Sequence, residues 1–598
     1  MSISCRSLLC AWPARILAVT ALAVALLGVP AAGAAATETA ATTFAASASA
    51  AGELADGAGA VEFTPVEISA DGRYVAFQSA SANLGSAGPT GAVEGFVKDL
   101  RTGAIELVSR ADGLAGEPAT APGITTLQLS ADGRHVLFTS AATNLGTALP
   151  GEEAGEAHVY ERDLETGETT LVDRVSGAGG QILARGAEGD SISADGLVVA
   201  FTDRVANLED PVGDHAETAV AVGYVRDLET GETKAVSRRS GAAGELGEEP
   251  AEGLALAPDG GAVSFYTRSE NLDPAFAVGQ YQLYLRDLAT DTTTVLSRNG
   301  LGESGDSNSF GGGFSADGCF LSVESSASNL LAPDESGLPA NQTYVLDRCA
   351  EPPAIELASK AEAGTLASFS YSAFEAPAIA EGGAATVFAA EFPTSRCCHL
   401  YLRDLGTGRT TILDRASGEA GALADEQVQY FAIAASGCRV AFATTATNLG
   451  AGAAPDPGEE PTEVYVRQVA PCVTGAPPPP DSHPTEDGGG SPDPTHRPST
   501  SSSAPLVGGI AAVRSLKVSR FRITADVSGP ATFTVRVRRL IAAPHRHWPL
   551  VGTGTFSADA AGPATYELPS LAPGTYRLNI HESGLPEGQS SLRRLTVP

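Results

Sequence analysis

The residues of this sequence best suited to chemistry are carboxylates that gather between recurring strand motifs. The candidates for a ligand site are Glu209, Asp210 and Asp214, then Glu248 and Glu249, and finally Asp334 and Glu335. Clustered carboxylates supply the oxygen ligands that Ca²⁺ takes, and paired carboxylates catalyse reactions at glycosidic bonds. The alternative is a solvated acidic rim that keeps the protein soluble, because no Asp-x-Asp-x-Asp-Gly loop occurs. No cofactor is expected, with Ca²⁺ as the one candidate.

Motifs that carry catalysis are missing from the sequence. It has no Gly-x-Ser-x-Gly elbow and no His-Glu-x-x-His pair, which disfavours serine hydrolases and zinc peptidases. His158 and His399 share a repeat position but belong to distant repeats. We therefore interpret them as structural histidines, and we assign no catalytic or metal-binding residue.

The elements that position these side chains follow from internal repeats, the strongest pattern in the chain. Residues 68–77 read ISADGRYVAF, and related segments begin at Leu129, Ile192, Leu256, Phe314, Ile379 and Ile433. These are seven copies with a period of about 60 residues, which indicates a repeat architecture. The turn Asp is replaced in the last two copies by Gly382 and Ser436, so the turn geometry is less certain there.

A second motif follows each copy, for example Tyr224-Val-Arg-Asp227, and then a turn and a final strand. Asp-Gly and Thr-Gly pairs between alternating strands are typical of hairpin turns, because glycine readily adopts positive φ. Each repeat therefore predicts four antiparallel strands, a to d. We expect the motif Asp to order the c–d turn. The b–c loops begin with asparagines that we expect to bond their own backbone: Asn83, Asn144, Asn207, Asn271, Asn329 and Asn448.

One four-stranded sheet cannot bury both of its faces, whereas several sheets packed radially can, and this arrangement is a propeller. The Ser-Ala-Asp-Gly and Tyr-Val-Arg-Asp segments resemble the TolB-type, WD-repeat-like propeller repeat over about residues 60–472. The predicted fold class is all-β: a seven-bladed β-propeller followed by a small β-sandwich. The resemblance implies a fold rather than an activity, since propellers host many functions.

Closure of the ring is also predicted from the repeats. The seventh copy lacks a fourth strand, while Thr42–Leu54 aligns with the fourth-strand segment Thr233–Leu246. We therefore expect residues near 41–48 to complete the last blade, which removes the open edge of the ring.

Four of the eight cysteines fall at equivalent places in two repeats. Cys319 and Cys438 begin b strands, whereas Cys349 and Cys472 follow the c strands. In an antiparallel b–c pair these positions face each other within disulfide reach. The sequence predicts the bridges Cys319–Cys349 and Cys438–Cys472. The adjacent pair Cys397 and Cys398 is left as a vicinal disulfide or as free thiols.

Composition divides the chain into four segments. Residues 1–36 read as a signal peptide, 37–472 as the propeller, 473–508 as a linker rich in Pro, Ser and Gly, and 509–598 as an Ig-like or fibronectin-like β-sandwich. Basic residues outnumber acidic ones only in the last of the three mature segments. That module could therefore bind an anionic wall polymer or pack on the acidic propeller.

The net charge of −33 disfavours binding to nucleic acid or to anionic lipid. After signal cleavage no apolar stretch is long enough to span a membrane. These features predict a secreted or envelope-associated monomer that binds a protein or glycan at the cell surface. The ligand is expected on the acidic long-loop side of the propeller, which the b–c and d–a loops form, whereas the tight a–b and c–d turns form the opposite, short-turn side. The alternatives are a carbohydrate-active lyase or hydrolase that uses loop carboxylates, and a purely structural surface module.

Overall fold

The computed structural model describes a larger N-terminal part and a set of C-terminal strands. The described residues of the larger part are 41–56, 66–85, 92–120, 122–145, 156–177, 180–181, 187–205, 208–210, 217–273, 279–331, 341–350, 353–361, 364–371, 378–392, 399–418, 420–449 and 462–469. The C-terminal strands lie between residues 513 and 597. The predicted signal peptide and linker lie outside the described residues.

Seven antiparallel sheets of four strands form within the described residues of the larger part, and they make a β-propeller. Strand β1 is Thr43–Ala45. Blade 1 consists of β2 Glu67–Ile68, β3 Tyr74–Ser79, β4 Glu94–Asp99 and β5 Ile105–Leu107. Blade 2 consists of β6 Ile124–Leu129, β7 His135–Ser140, β8 His158–Asp163 and β9 Thr169–Leu171. Blade 3 consists of β10 Glu188–Ile192, β11 Val198–Val205, β12 Glu217–Asp227 and β13 Glu232–Ala235.

Blades 4 to 7 continue the same strand order. They consist of β14 Glu252–Leu256, β15 Ala262–Thr267, β16 Gln282–Asp287, β17 Thr292–Val295; β18 Ser309–Phe314, β19 Phe320–Ser325, β20 Gln342–Asp347, β21 Ala354–Leu357; β22 Phe369–Tyr371, β23 Ala385–Glu391, β24 His399–Asp404, β25 Thr410–Ile412; and β26 Val428–Ile433, β27 Arg439–Thr444, β28 Glu463–Gln468 with β1. Short 3₁₀ turns cover Ala82–Leu84 and Glu381–Gly383. The a strands line the central channel.

The a–b turns form as their sequence predicts. In blade 1, Ser69 Oγ donates to Asp71 at 2.6 Å, and Asp71 accepts the backbone N–H of Arg73 at 2.9 Å. The two copies without the Asp still make the turn: blade 6 uses the short turn Glu381–Gly383, and Gly437 in blade 7 keeps a positive φ of 70°. Replacement of the Asp therefore changed the side-chain bonds but kept a turn at the same place.

The motif Asp orders the c–d turn, as predicted. In blade 2, Asp163 accepts the backbone N–H of Glu165 at 2.9 Å. Arg134 also donates two hydrogen bonds to this carboxylate, of 2.8 and 2.5 Å. Such bidentate contacts hold the b strand against the turn.

Arginines of the c strands fasten neighbouring blades to each other. In blade 3, Arg226 donates to Thr233 of its own blade at 2.7 Å. It also donates, at 3.1 Å, to the carbonyl of Gly177, which lies in the segment after strand d of blade 2. Thr233 also donates to the carbonyl of Arg174 at 2.9 Å. The same arginine–threonine pairing links Arg162, Arg286, Arg403 and Arg467 to the preceding blade. These arginines are buried or half-buried, so their carbonyl partners offset the cost of desolvation.

A second repeated contact joins strand d to strand c. A Ser or Asp side chain just beyond strand d accepts a backbone N–H of strand c at 2.9–3.2 Å. The donor–acceptor pairs are Gly95–Ser109, Val159–Asp173, Gly223–Ser237, Leu283–Ser297, Thr343–Ser359, Leu400–Asp414 and Val464–Ser47. We call this contact the c–d latch.

The residue that begins strand c is matched to the latch residue. Histidine faces aspartate in blades 2 and 6, with 2.5 Å between His158 and Asp173 and 2.7 Å between His399 and Asp414. Glutamine or glutamate faces serine in blades 1, 4, 5 and 7, as in Ser297 Oγ donating to Gln282 at 2.7 Å. Blade 3 has Val222 at this position. Both histidines are therefore structural, in agreement with the interpretation of their spacing.

The N-terminal segment closes the ring where the repeat alignment places it. Strand β1 pairs with β28, so that Thr43 faces Arg467. Ser47 completes the c–d latch of blade 7 and also donates to Glu463. Lys98 of blade 1 donates to the carbonyl of Ala48 at 2.6 Å. One short segment thus binds blade 7 and blade 1 at once.

One predicted disulfide is present, and one cysteine of the other predicted disulfide lies among the described residues. Cys319 and Cys349 are bonded, with 5.2 Å between their Cα atoms. Cys438 is also disulfide-bonded. Its predicted partner Cys472 lies outside the described residues, as do Cys397 and Cys398.

The described C-terminal strands form two antiparallel sheets. Their bounds are β29 Val513–Ser519, β30 Arg522–Val527, β31 Ala531–Arg539, β32 Leu550–Ala558, β33 Gly562–Glu567, β34 Gly574–Glu582 and β35 Ser591–Val597. One sheet has the order β29-β30-β33 and the other β32-β31-β34-β35. Two sheets agree with the expected sandwich, whereas the Ig-like assignment stays a prediction. Among the described residues no helix is long and apolar enough to cross a membrane.

The c–d latch of blade 7 predicts a pH dependence of stability. Burial raises the pKa of Glu463 to about 7, although the Ser47 hydroxyl opposes the shift. The folded state therefore keeps this carboxyl protonated where the unfolded chain ionises. Its stabilising contribution is complete below about pH 4 and is lost as the pH rises towards 7.

Glu463→Gln should remove this loss, because Gln282 and Gln342 make the same contact to serine in blades 4 and 5. We expect the variant to gain up to about 3 kcal/mol of unfolding free energy at pH 8 relative to wild type, and much less at pH 4. Urea unfolding across pH 4–8 measures this. Gln282→Glu is the reciprocal control and should acquire the pH dependence. Parallel profiles for Glu463→Gln and wild type would contradict the assignment.

Candidate functional site

The candidate site lies on the long-loop side of blades 4 and 5. Its residues differ from those that the other blades carry at the same repeat positions. At the strand b position of Tyr266 the other blades carry Gln78, Thr139, Thr202, Glu324, Ala389 and Ala443. Repeated residues serve the scaffold, as the arginine contacts and c–d latches show. A half-exposed aromatic side chain found at this position only in blade 4 is therefore a candidate for function.

Three aromatic rings meet at this place. The centroid of Tyr266 lies 5.7 Å from that of Tyr281 and 5.1 Å from that of Phe310, in both cases edge to face. Tyr281 and Phe310 are 5.4 Å apart. We call these three rings the aromatic cluster. It joins strand b and the start of strand c in blade 4 to strand a of blade 5.

Charged groups complete the cluster. The guanidinium of Arg268, an exposed residue, lies 4.2 Å from the centroid of Tyr281. The Tyr281 hydroxyl donates to Glu252 Oε1 at 2.9 Å. Partial burial and this carboxylate both raise the pKa of Tyr281. The phenol therefore stays protonated at neutral pH and acts as a hydrogen-bond donor.

Local backbone geometry makes room for the cluster. Strand β14 is irregular between Glu252 and Ala255, and Gly253 has a φ of 57°. A Cβ on Gly253 would lie 2.3 Å from Tyr266 Cε1, so only glycine lets the ring pack over this backbone. The side chain of Asn308 accepts the backbone N–H of Tyr281 at 3.0 Å and fixes its approach.

A polar group borders the cluster on blade 5. Glu324 faces Phe310 across strands a and b, and Asn341 Nδ2 donates to Glu324 Oε1 at 3.1 Å. Ser326 donates to the Asn341 side chain. Asn341 has a φ of 53°, a left-handed conformation that asparagine tolerates better than most residues. Aromatic rings next to fixed amide and carboxylate groups are typical of binding sites.

The carboxylates predicted from the sequence do not assemble into one described site. Glu209 forms an ion pair with Arg238 at 2.8 Å, and Asp210 is exposed beside it. Asp214, Asp334 and Glu335 lie outside the described residues. No group of three or more metal-ligating side chains occurs among the residues that the structure describes, so the Ca²⁺ prediction gains no support there.

Two of the predicted carboxylates do lie beside the aromatic cluster. Glu248 and Glu249 are exposed in the loop that leads into strand a of blade 4. Glu249 is close enough to contribute to the raised pKa of Tyr281. The sequence therefore singled out part of the loop that borders the aromatic cluster, but not the rings, whose only sequence signal is their departure from the repeat.

The loop asparagines are structural, but not in the predicted way. Asn271 Nδ2 donates to the carbonyl of Leu246 at 2.7 Å, and its Oδ1 accepts the backbone N–H of Glu248. Corresponding bonds are made by Asn83, Asn144, Asn329 and Asn448, whereas Asn207 lies outside the described residues. Each asparagine thus ties its b–c loop to the preceding d–a loop instead of to its own backbone.

Solved structures with a similar chain course include TolB proteins and a lyase. TolB from Acinetobacter baumannii shares 16% identity at a TM-score of 0.33, over 59% of this chain and 65% of its own. An oligogalacturonate lyase in complex with manganese shares 14% at 0.38, over 69% and 89%. A putative TolB from Agrobacterium tumefaciens shares 14% at 0.29, over 61% and 94%.

The chain thus spans just under two thirds of the Acinetobacter TolB. No protein-family model matches the sequence, and no curated protein is significantly similar to it. The propeller assignment rests on the sheets themselves, and the likenesses assign no activity.

The packing of Tyr266 on Gly253 gives a testable consequence. Gly253→Ala should displace the ring and strain the backbone, which we expect to lower the unfolding free energy by about 1–3 kcal/mol. Thermal unfolding and near-ultraviolet circular dichroism of the tyrosines report the two effects.

Gly302→Ala is the matched control, since Gly302 also has a positive φ, of 84°, but an added Cβ there meets nothing within 4 Å. Equal behaviour of the two variants would show that Gly253 does not position the ring.

Proposed function

We propose that this protein is a secreted or envelope-associated binding protein without catalytic activity, and that it docks a partner protein on the aromatic cluster. The observation that supports the proposal is the aromatic cluster of Tyr266, Tyr281 and Phe310, which departs from the repeat, together with the exposed Arg268. Tyrosine, phenylalanine and arginine are enriched where protein interfaces are buried, and tyrosine and arginine dominate interface hot spots.

The charge around the cluster indicates the chemistry of the partner. Glu248, Glu249 and Glu270 are exposed in the loops that lead into strand a and out of strand b of blade 4, and Arg268 lies over the Tyr281 ring. An acidic surround attracts a partner with a basic contact surface and accelerates its association at low salt. A basic protein therefore fits better than an anionic glycan.

The position of the cluster on the scaffold supports the same function. The rings lie at the loop ends of strands, next to the loops that usually carry binding sites. The inter-blade arginines and c–d latches hold these strands in a rigid framework. Disulfide bonding of Cys319 to Cys349 is consistent with an oxidising location outside the cytoplasm.

The test compares Arg268→Ala and Tyr281→Ala with wild type. Each full-length protein is immobilised and exposed to the envelope and culture-supernatant proteins of the source organism at low and moderate salt. Bound proteins are quantified by mass spectrometry. We expect one or a few basic proteins to be retained by wild type and reduced at least tenfold by either variant.

The control is Arg73→Ala, because Arg73 lies 4.6 Å from the Tyr74 ring centroid as a comparable pair on the short-turn side. It should bind as wild type does. Equal retention of the partner by all three variants would contradict the assignment of the binding site to the aromatic cluster. Specific binding on a glycan array, or turnover of a polysaccharide, would replace the proposal with a glycan-binding or an enzymatic function.

A further inference from the structure

A second group of rings lies on the long-loop side of blade 6. Phe369 is 38% exposed at the start of strand a of this blade. The other exposed large hydrophobic residues among those described lie between strands d and a: Leu114, Leu301 and Leu423. The described counterparts of Phe369 in the repeat are Gly123, Pro250, Asn308 and Gln427. Phe369 is therefore an exposed aromatic side chain that the propeller scaffold does not require.

Neighbouring strands hold this ring in place. The Phe369 ring centroid lies 6.3 Å from that of Tyr371, and the Tyr371 centroid lies 6.2 Å from that of Phe431 in blade 7. The Tyr371 hydroxyl donates to a backbone carbonyl of blade 7 at 2.5 Å. Ser370, between the two rings, donates its backbone N–H to the carbonyl of Asn341 in blade 5 at 2.9 Å. A ring that is already fixed loses little side-chain freedom when a partner covers it.

Contacts continue from Phe369 to the aromatic cluster. Phe310 of the cluster faces Glu324 across strands a and b of blade 5, and Asn341 Nδ2 donates to Glu324 at 3.1 Å. The carbonyl of Asn341 accepts the backbone N–H of Ser370, the residue next to Phe369. We call this band of contacts, from the aromatic cluster to Phe369, the aromatic strip. It runs from blade 4 across blade 5 to blade 6.

A carboxylate stands at the blade 6 end of the aromatic strip. Glu391 is exposed and faces Phe369 directly across strands a and b. Cβ atoms of residues that face each other in this way are about 4.5–5.5 Å apart. At the position of Glu391 the other blades carry Ala80, Ala141, Arg204, Arg268, Ser326 and Thr445. Only blade 6 therefore places a carboxylate there, next to an exposed ring.

We propose that the aromatic strip binds an extended, basic segment of the partner protein, in which an apolar side chain covers Phe369 and a lysine or arginine pairs with Glu391. Side chains two positions apart lie on the same face of an extended chain, so one segment presents both groups together. This inference rests on the proposed function, because it names the part of the partner that contacts the protein. A folded basic surface that reaches only the aromatic cluster is the alternative outcome.

The experiment measures binding of fluorescein-labelled peptides to the full-length protein by fluorescence anisotropy at low salt. The probe contains three repeats of Lys-Ser-Leu-Ser, which place lysines and leucines on one face of an extended chain. Two matched peptides replace either every lysine by glutamate or every leucine by serine. We expect the probe to bind at least about tenfold more tightly than either matched peptide. Absence of binding of the probe at about 1 mM overturns the proposal.

Two variants test the blade 6 end of the strip. Phe369→Ser should weaken binding of the probe about tenfold, as expected for an interface hot spot. Glu391→Gln should weaken it about threefold and reduce its dependence on salt, because the lost contact is an ion pair at the surface. The matched controls are Leu114→Ser and Glu117→Gln, since both residues are exposed and follow strand d of blade 1, outside the strip. Both controls should bind the probe as wild type does.

Tyr281→Ala separates this inference from the proposed function. If the affinity for the probe falls in Tyr281→Ala but is unchanged in Phe369→Ser and Glu391→Gln, the partner contacts the aromatic cluster alone. That result overturns the inference and leaves the proposed function intact. Equal affinity of wild type and all three variants for the probe overturns the inference and also counts against the aromatic cluster as the binding site.

Discussion

Closure of the ring by the N-terminal segment is the constraint on which the propeller depends. A ring of sheets hides its strand edges only if the last blade is complete, and the seventh repeat supplies three strands of its own. Strand β1 supplies the fourth. Ser47 and Thr43 then make for blade 7 the contacts that residues of the continuous chain make in other blades. The contact of Lys98 with Ala48 extends this closure to blade 1.

The same logic separates scaffold from function. Contacts that recur from blade to blade, such as Arg226 with Thr233, hold the ring together and need no ligand to explain them. Side chains that break the repeat yet sit in strands of unchanged register need another explanation. The aromatic cluster on the long-loop side of the propeller is of this second kind.

Much of the fold follows from local sequence. The Asp-Gly turns, the alternating strands and the spacing of Cys319 and Cys349 predict strand order and one disulfide, because these features depend on neighbours within one repeat. The fourth strand of blade 7 could be placed for the same reason, since Thr42–Leu54 keeps the pattern of a strand d segment.

The candidate site could not be predicted in the same way. Tyr266 lies in strand b of blade 4, Tyr281 just before strand c of that blade, and Phe310 in strand a of blade 5. They meet because strand β14 is irregular and Gly253 leaves space. The sequence analysis grouped Glu209 with other acids and overlooked Arg238. Glu209 lies in the b–c loop of blade 3, and Arg238, which follows strand d of the same blade, neutralises its charge. Loop contacts of this kind depend on backbone paths that the repeat pattern does not encode.

Deletion of residues 37–50 tests the central claim most directly. The truncated protein loses β1 and Ser47, so the account predicts a melting temperature lower by roughly 5 °C or more. A synthetic peptide of residues 37–50 should restore part of the loss, because it can occupy the open edge of blade 7. A melting temperature equal to that of the intact chain would contradict closure by the N-terminal strand.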